Sequence, residues 1–317
     1  MDERSTTFLF PGQASQFVGM GRDLYERYPS VRELYEQAND LLEFDIAEIS
    51  FTGPAELLRQ TAYTQPAILV HSIAVTSVLE SYAIRPTYVA GHSLGEYSAL
   101  VAAGYLGVAE AIRLVKLRSS LMHQAGEEWP GTMAAIIGLD AGQVEEICSE
   151  ASEPDEPVQP ANYNSPQQIA IAGAVKAVHR AIELAKKAGA KRAILLDVSG
   201  AFHSQLMVQA QSGLSQAINE TAFIASDIPV IANVNASPVT DLNEIRRLLI
   251  AQLTNPVRWS ESMTTLLDLG CERYVEAGPG NVLKGLMRRV DKSARVMNAD
   301  SVEHIEDIIN VFEESTE

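Results

Sequence analysis

The sequence predicts an α/β protein in which a large unit built on a parallel sheet is interrupted by a small split βαβ, ferredoxin-like unit. Three observations predict it. Short apolar runs of strand length alternate with helical periodicity from residue 6 to about residue 125, the pattern of a parallel sheet covered on both faces. From Gly131 the rhythm becomes β-α-β-β-α-β, with two strands meeting around Asn164-Ser165-Pro166, which is the order of a split βαβ unit. After about residue 199 the first rhythm resumes. The large unit is expected at residues 1–128 and 199–317, and the insert at residues 129–198.

Thr6–Phe10 reads as an apolar strand ended by the turn signal Pro11-Gly12-Gln13. Helical patterns follow at Met20–Tyr28 and Ser30–Leu42, and Thr64–Tyr82 is a longer helix with Ile68, Ser72, Val75 and Leu79 on one face. A strand from residue 87 leads into a helix beginning near Glu96, which Gly104 can stop. Further helices run to about Ala125.

In the insert, Thr132–Leu139 is a strand, Ala141–Ala151 a helix, and Ser152–Pro160 an acidic, proline-rich loop. Strands Val158–Asn162 and Gln167–Ala172 come next. A helix over Ala174–Ala188 turns Val175, Val178, Ile182 and Ala185 inward, and Lys191–Val198 closes the unit as a strand. The large unit then continues with a helix at Ser204–Glu220, a strand at Val230–Val234, and helices near Leu242–Leu253 and Met263–Leu269. A strand at Arg273–Val275 leads through Ala277-Gly-Pro-Gly280 into another helix. Val302–Phe312 is an amphipathic helix expected to pack on its own domain.

At 317 residues the chain can bury a large core, and 46% hydrophobic with 21% charged residues is ordinary for a folded protein. A net charge of −17 argues against nucleic acid or an anionic membrane as the main partner. Cys148 and Cys271 are too few for a disulfide framework or a cysteine-rich zinc site. The opening residues have no signal-peptide layout and no apolar run approaches membrane-spanning length, so the expected setting is the cytoplasm.

Gly91-His92-Ser93-Leu94-Gly95 has the G-x-S-x-G spacing of a nucleophile elbow, between a strand and a helix. Side chains at the two glycine positions would clash where the backbones crowd. The helix start offers free N–H groups and a positive dipole end where negative charge develops in acyl transfer. Ser93 needs a base. His71 lies in an apolar helix and reads as a core residue, while His179 and His304 sit on amphipathic helices. His123 matches no motif, and His92 points away from Ser93 by strand alternation and lines the pocket. His203 lies in a strand-to-helix loop, where catalytic groups tend to sit.

Several ordered runs carry a resemblance. They are Pro11-Gly-Gln13-Ala-Ser-Gln16, Gly91-His-Ser-Leu-Gly-Glu96, Arg118 with Met122, Asn162-Tyr-Asn-Ser-Pro166, Ala201-Phe-His203-Ser204, Gln252-Leu-Thr-Asn-Pro-Val-Arg-Trp259 and Glu276-Ala-Gly-Pro-Gly280. The chain resembles the malonyl-CoA:acyl-carrier-protein transacylase family, the acyltransferases of fatty-acid and polyketide synthesis, from residue 6 to about 290. The resemblance implies a hydrolase-like α/β domain interrupted by a ferredoxin-like subdomain. One departure is Ala14, where relatives often carry glycine; a methyl there matters little if the local φ is negative.

The resemblance also implies the roles. Ser93 is the nucleophile and His203 its base, oriented by the main-chain carbonyl of Gln252 in a Ser-His dyad; Asp197 is the rival orienter. The oxyanion hole uses the backbone N–H groups of Leu94 and Gln13. Arg118 binds the malonyl carboxylate through its planar fork, and Met122, His92, Asn162 and Phe202 line the pocket, Phe202 excluding an α-methyl branch. The implied reaction is ping-pong transfer from malonyl-CoA, a coenzyme A thioester substrate, to a holo acyl carrier protein, with no metal or redox cofactor. Two basic clusters are expected carrier contacts: Lys186, Lys187, Lys191 and Arg192, or Lys284, Arg288 and Arg289. A free-standing monomer is expected. The rival activity is an editing acyl hydrolase or esterase on the same fold.

Overall fold

The computed structural model describes residues 5–314. Among them, ten strands form two sheets. In chain order the strands are β1 Thr6–Phe10, β2 Tyr88–Gly91, β3 Gly131–Ile137, β4 Val158–Ser165 and β5 Gln168–Ala174. The remaining strands are β6 Arg192–Leu195, β7 Val230–Ile231, β8 Pro238–Val239, β9 Arg273–Ala277 and β10 Val296–Ala299.

The large sheet has the order β10-β9-β1-β2-β7-β8 and is parallel except for the β7–β8 hairpin. β1 sits in its interior and is buried at every position, so it reads as a continuous apolar run. Its side chains alternate between two cores. Phe8 and Phe10 pack with the Thr61–Ser81 helix side of the sheet, while Leu9 joins Trp259, Met263 and Met287 on the other. The Thr61–Ser81 helix is long and apolar enough to cross a membrane by composition, yet most of its surface is buried within the protein.

The small sheet is antiparallel with the order β4-β5-β3-β6, the strand order of a split βαβ unit. One face carries Ala134, Ile136, Ile169 and Ile171 against helices Ala141–Ala151 and Val175–Lys187. Val178 and Ile182, one helical turn apart, fill that interface, and burying each stabilises by about 1.5–3 kcal/mol. The opposite face, with Met133, Ala135 and Ala170, roofs a cavity over the large sheet.

Several expected elements shift. β4 runs on through Ser165, with register irregularities after Pro160 and Tyr163, so the connection to β5 is Pro166-Gln167 rather than Asn164-Ser165-Pro166. β7 stops at Ile231 and turns back into β8, which frees Asn233 from the ladder. β6 ends at Leu195, and Leu196, Asp197 and Val198 leave it to line the cavity. The expected 204–220 helix opens with a separate short turn at Gln205–Met207. β10 and the short helices Ile46–Phe51 and Ala55–Leu58 add to the expected elements.

Candidate active site

The elbow is set by sterics and strain. A Cβ on Gly91 would drive into the Gly95 carbonyl, and one on Gly95 would drive into the Phe10 carbonyl. Ser93 between them has φ +52°, a left-handed conformation that costs a residue with a Cβ about 1–2 kcal/mol. Asn233 offsets that strain. Its Oδ1 accepts from the Ser93 N–H at 2.7 Å and its Nδ2 donates to the Gly91 carbonyl at 2.6 Å. The side chain thus clips both arms of the turn.

Ser93 Oγ lies 2.7 Å from His203 Nε2, and His203 Nδ1 lies 2.8 Å from the Gln252 carbonyl oxygen. A carbonyl only accepts, so the proton sits on Nδ1 and Nε2 is left as the acceptor of the serine hydroxyl. Burial, reinforced by the nearby Arg118 charge, pushes the imidazole down to about 3, so it is neutral at physiological pH. Asp197 lies on the cavity wall, and the Gln252 carbonyl takes the ring nitrogen that an orienting carboxylate would use.

Arg118 is buried (1% exposed) beside this pair. Nη1 donates to Gln65 Oε1 at 2.6 Å; Nη2 donates to Gln252 Oε1 at 2.9 Å and to Ser93 Oγ at 3.1 Å. Its Nε–H has no hydrogen-bond partner among the described residues. The Tyr97 ring lies 5.6 Å from the guanidinium carbon. The Gln252 amide is a hub, because its Nε2 also donates to the Ser93 carbonyl at 2.9 Å and to Glu96 Oε2 at 2.5 Å. Burial pushes the Glu96 carboxyl up to about 7.

These groups open onto a cavity of about 630 Å³ lined by Gln13, His92, Leu94, Met122, Asn162 and Phe202, among others. His92 Nε2 pairs with Asn164 Oδ1 at 2.8 Å, and its ring lies 5.4 Å from that of Trp259. Met122 Sδ accepts from Gln65 Nε2 at 3.4 Å. The expected site residues therefore converge. One expectation fails: Ala14 has φ +84°, so the condition under which its methyl would be harmless is not met. Glycine adopts that conformation freely and alanine is strained in it.

Four histidines stand apart from the dyad and from the cavity wall, and of these His179 is exposed on helix Val175–Lys187. His71 is buried with Nε2 3.2 Å from the Asp300 carbonyl oxygen, His123 pairs with Glu127 at 3.6 Å, and His304 pairs with Asp300. Of the basic clusters, Lys186 is engaged by Glu183 at 2.7 Å. The second cluster lies on helix Val282–Val290, whose Val282, Leu283 and Leu286 line the cavity. There Lys284 Nζ reaches Asn298 Oδ1 at 2.9 Å, and Arg289 bonds Gln168, itself a cavity residue.

Asn233, Gln65 and Glu96 join the site without being among the expected site residues. A glutamine inside the apolar Thr61–Ser81 helix was a usable signal for Gln65, because a buried amide needs partners. Asn233 gave none, since its partners lie about 140 residues away in the chain.

Known proteins share this chain's sequence and fold. The family model described as the acyl transferase domain matches residues 7–307. A malonyl CoA-acyl carrier protein transacylase of Bacillus subtilis is 43% identical over 310 residues, covering 98% of both chains. Among solved structures, the malonyl CoA-acyl carrier protein transacylase of Coxiella burnetii superposes with a TM-score of 0.94 at 40% identity, covering 97% of each chain. A malonyl-transacylase in complex with its type II polyketide-synthase acyl-carrier protein superposes with a TM-score of 0.93 at 39% identity, covering 97% of this chain and 99% of that one. The chain belongs to the acyl transferase domain family.

Proposed function

We propose that the protein transfers a malonyl group from malonyl-CoA to the phosphopantetheine thiol of an acyl carrier protein through a malonyl-Ser93 intermediate. The observation that carries the reading is a single oxygen, Ser93 Oγ, held 2.7 Å from a neutral imidazole and 3.1 Å from a buried guanidinium. His203 takes the hydroxyl proton as Oγ attacks the thioester carbonyl, then passes it to the departing CoA sulfur. The Gln252 carbonyl holds the ring tautomer. The N–H groups of Leu94 and Gln13 receive the oxyanion; the first follows the nucleophile directly and both residues line the cavity. Carrier thiol attack on the ester reverses the sequence.

Arg118 sets the acyl specificity. Its unpartnered Nε–H and its Nη2, shared with Ser93 Oγ, supply the two donors that a carboxylate takes. Phe202, Met122, His92 and Asn162 bound the acyl pocket, Phe202 being a bulky wall against α-branching. An acetyl group leaves the guanidinium without its carboxylate and is disfavoured. This clamp, with relatives named as transacylases, favours transfer over an editing hydrolase or esterase.

Helix Val282–Val290 is the better carrier contact, because Lys284, Arg288 and Arg289 are exposed on the helix that forms the cavity rim. In the other cluster Lys186 is already engaged by Glu183, and none of Lys186, Lys187, Lys191 and Arg192 lines the cavity. Residues 129–198 act as the subdomain that roofs the site, while 1–128 and 199–317 carry the catalytic groups. The chemistry draws on the CoA thioester alone and calls for no further cofactor. Two free, buried cysteines suit a cytoplasmic, reducing setting, and one chain supplies every catalytic group, as a monomer requires.

Intact-mass measurement after mixing with malonyl-CoA tests the reading. A stable malonyl adduct that disappears in Ser93→Ala is expected; fast release of free malonate without an adduct would favour the hydrolase.

A further inference from the structure

Glu96 lies in the first turn of helix Gly95–Ala102, which leaves the elbow, and is sealed from solvent at 4% exposure. No step of the acyl transfer above uses it. Its Oε2 accepts from Gln252 Nε2, and that amide's oxygen accepts from Arg118 Nη2 at 2.9 Å. The main-chain carbonyl of the same Gln252 orients His203. An acceptor behind Gln252 therefore decides which way round its amide sits. Reversed, the amide would turn its NH₂ toward the guanidinium and its oxygen toward the carboxylate, unfavourable on both sides.

The charged or titratable groups facing Glu96 are Arg118 on helix Val108–Glu128 and Tyr97 on its own helix, with His203 beyond Gln252. Asn233, after β7, adds a main-chain N–H. Arg118 is thus the cation nearest to this buried carboxylate's network, reached through the Gln252 amide rather than by direct contact.

We propose that Glu96 is a positioning residue that also tunes acyl selectivity: it locks the Gln252 amide, and its negative charge competes with the malonyl carboxylate for Arg118. The proposal rests on the malonyl-transfer reading. When the acyl group arrives, one guanidinium has a carboxylate against it and a second behind the Gln252 amide, in a site of low dielectric, which favours protonating one of them. Glu96 is the one already held near neutrality by burial. Loading the malonyl group therefore draws a proton onto Glu96.

The acylation itself is proton-neutral near pH 7. The Ser93 O–H bond breaks, the ester C–O bond forms, the thioester C–S bond breaks, and the proton passes through His203 to the leaving sulfur. Net uptake reports another group.

Wild-type enzyme is mixed with stoichiometric malonyl-CoA in weak buffer containing a pH indicator at pH 7.5, and the adduct is counted by mass. Roughly half a proton or more taken up per malonyl-Ser93 is expected, and none with acetyl-CoA. An adduct without uptake, or equal uptake with both thioesters, overturns the proposal while leaving transfer intact. No adduct at all removes the transfer reading and this proposal together.

The second arm uses Glu96→Gln, which keeps the shape and an acceptor for Gln252. In wild type the KM for malonyl-CoA rises roughly ten-fold from pH 6 to 8.5, while that for acetyl-CoA stays level. The Glu96→Gln profile is flat for both. Parallel malonyl profiles in wild type and variant would refute the competition.

Discussion

Arg118→Ala tests the carboxylate clamp most directly. The guanidinium donates to Gln65, Gln252 and Ser93 in the free enzyme, and on the proposed reading its Nε and Nη2 receive the malonyl carboxylate. Removing one partner of a buried charge pair costs about 3–5 kcal/mol, which corresponds to a fall in malonyl transfer of roughly 10²–10⁴-fold. Acetyl transfer loses only the bond to Ser93 Oγ, about 1.5–3 kcal/mol at most. At the middle of these ranges the malonyl-to-acetyl ratio of kcat/KM therefore drops by about ten-fold. The fold is a separate question, since Gln65 Oε1 and Gln252 Oε1 each lose a donor while a costly buried cation is also removed. Thermal melting checks it. Stopped-flow release of CoA from both thioesters gives the ratio, and an unchanged ratio in a folded variant would show that the acid is read elsewhere.

Asn233→Ala removes the clip from a strained turn and leaves the Ser93 N–H and Gly91 carbonyl without partners; a loss of about 2–4 kcal/mol in urea unfolding is expected, with slower acylation of Ser93. Ala14→Gly should act in the opposite direction. Relief of the φ +84° strain against the extra chain entropy of glycine gives a net gain of up to about 1 kcal/mol, visible as a higher melting temperature. The pH dependence follows from His203. Its folded-state pKa of about 3 lies below the ordinary 6.5, so the unfolded chain binds the extra proton and stability falls as pH drops from about 6.5 to about 3. The loss is about 1.4 kcal/mol per pH unit across that window, and urea midpoints of His203→Asn against wild type isolate it. Acylation should likewise show no acid limb near pH 6.5, because the base is already neutral there.

The elbow was legible because its determinants are local. Two glycines, a strand and a helix within about ten residues force one geometry, and the structure places the clash where the spacing puts it. The alternation of strands and helices gave both sheets for the same reason. What lies outside the reach of periodicity escapes it: the two-residue strand β8 carries no alternation to count, and the expected Val230–Val234 strand ends as β7 at Ile231. The polar network was invisible for a different reason. Gln65, Glu96 and Asn233 meet Arg118, Gln252 and the elbow only through tertiary contacts, and of the three only Gln65, a glutamine inside an apolar helix, carries a local mark. Ala14 depended on a torsion angle that the loop alone decides. His203 and Gln252 could be paired only by resemblance, since no spacing rule joins positions 49 residues apart.

A carbonyl in place of a carboxylate behind His203 fits the proposed chemistry. A carboxylate there would strengthen the base but would also stand beside Arg118, whose positive charge must stay available to the substrate's acid. The buried site already holds one acid near that guanidinium, and burial keeps it close to neutrality. A second would tighten the competition. The weaker base is sufficient because the departing group is a thiolate, which needs less proton assistance than an amine. The neutral orienter thus spares the charge that selects the substrate, and introducing an acid near His203 should cost malonyl selectivity before it gains any rate.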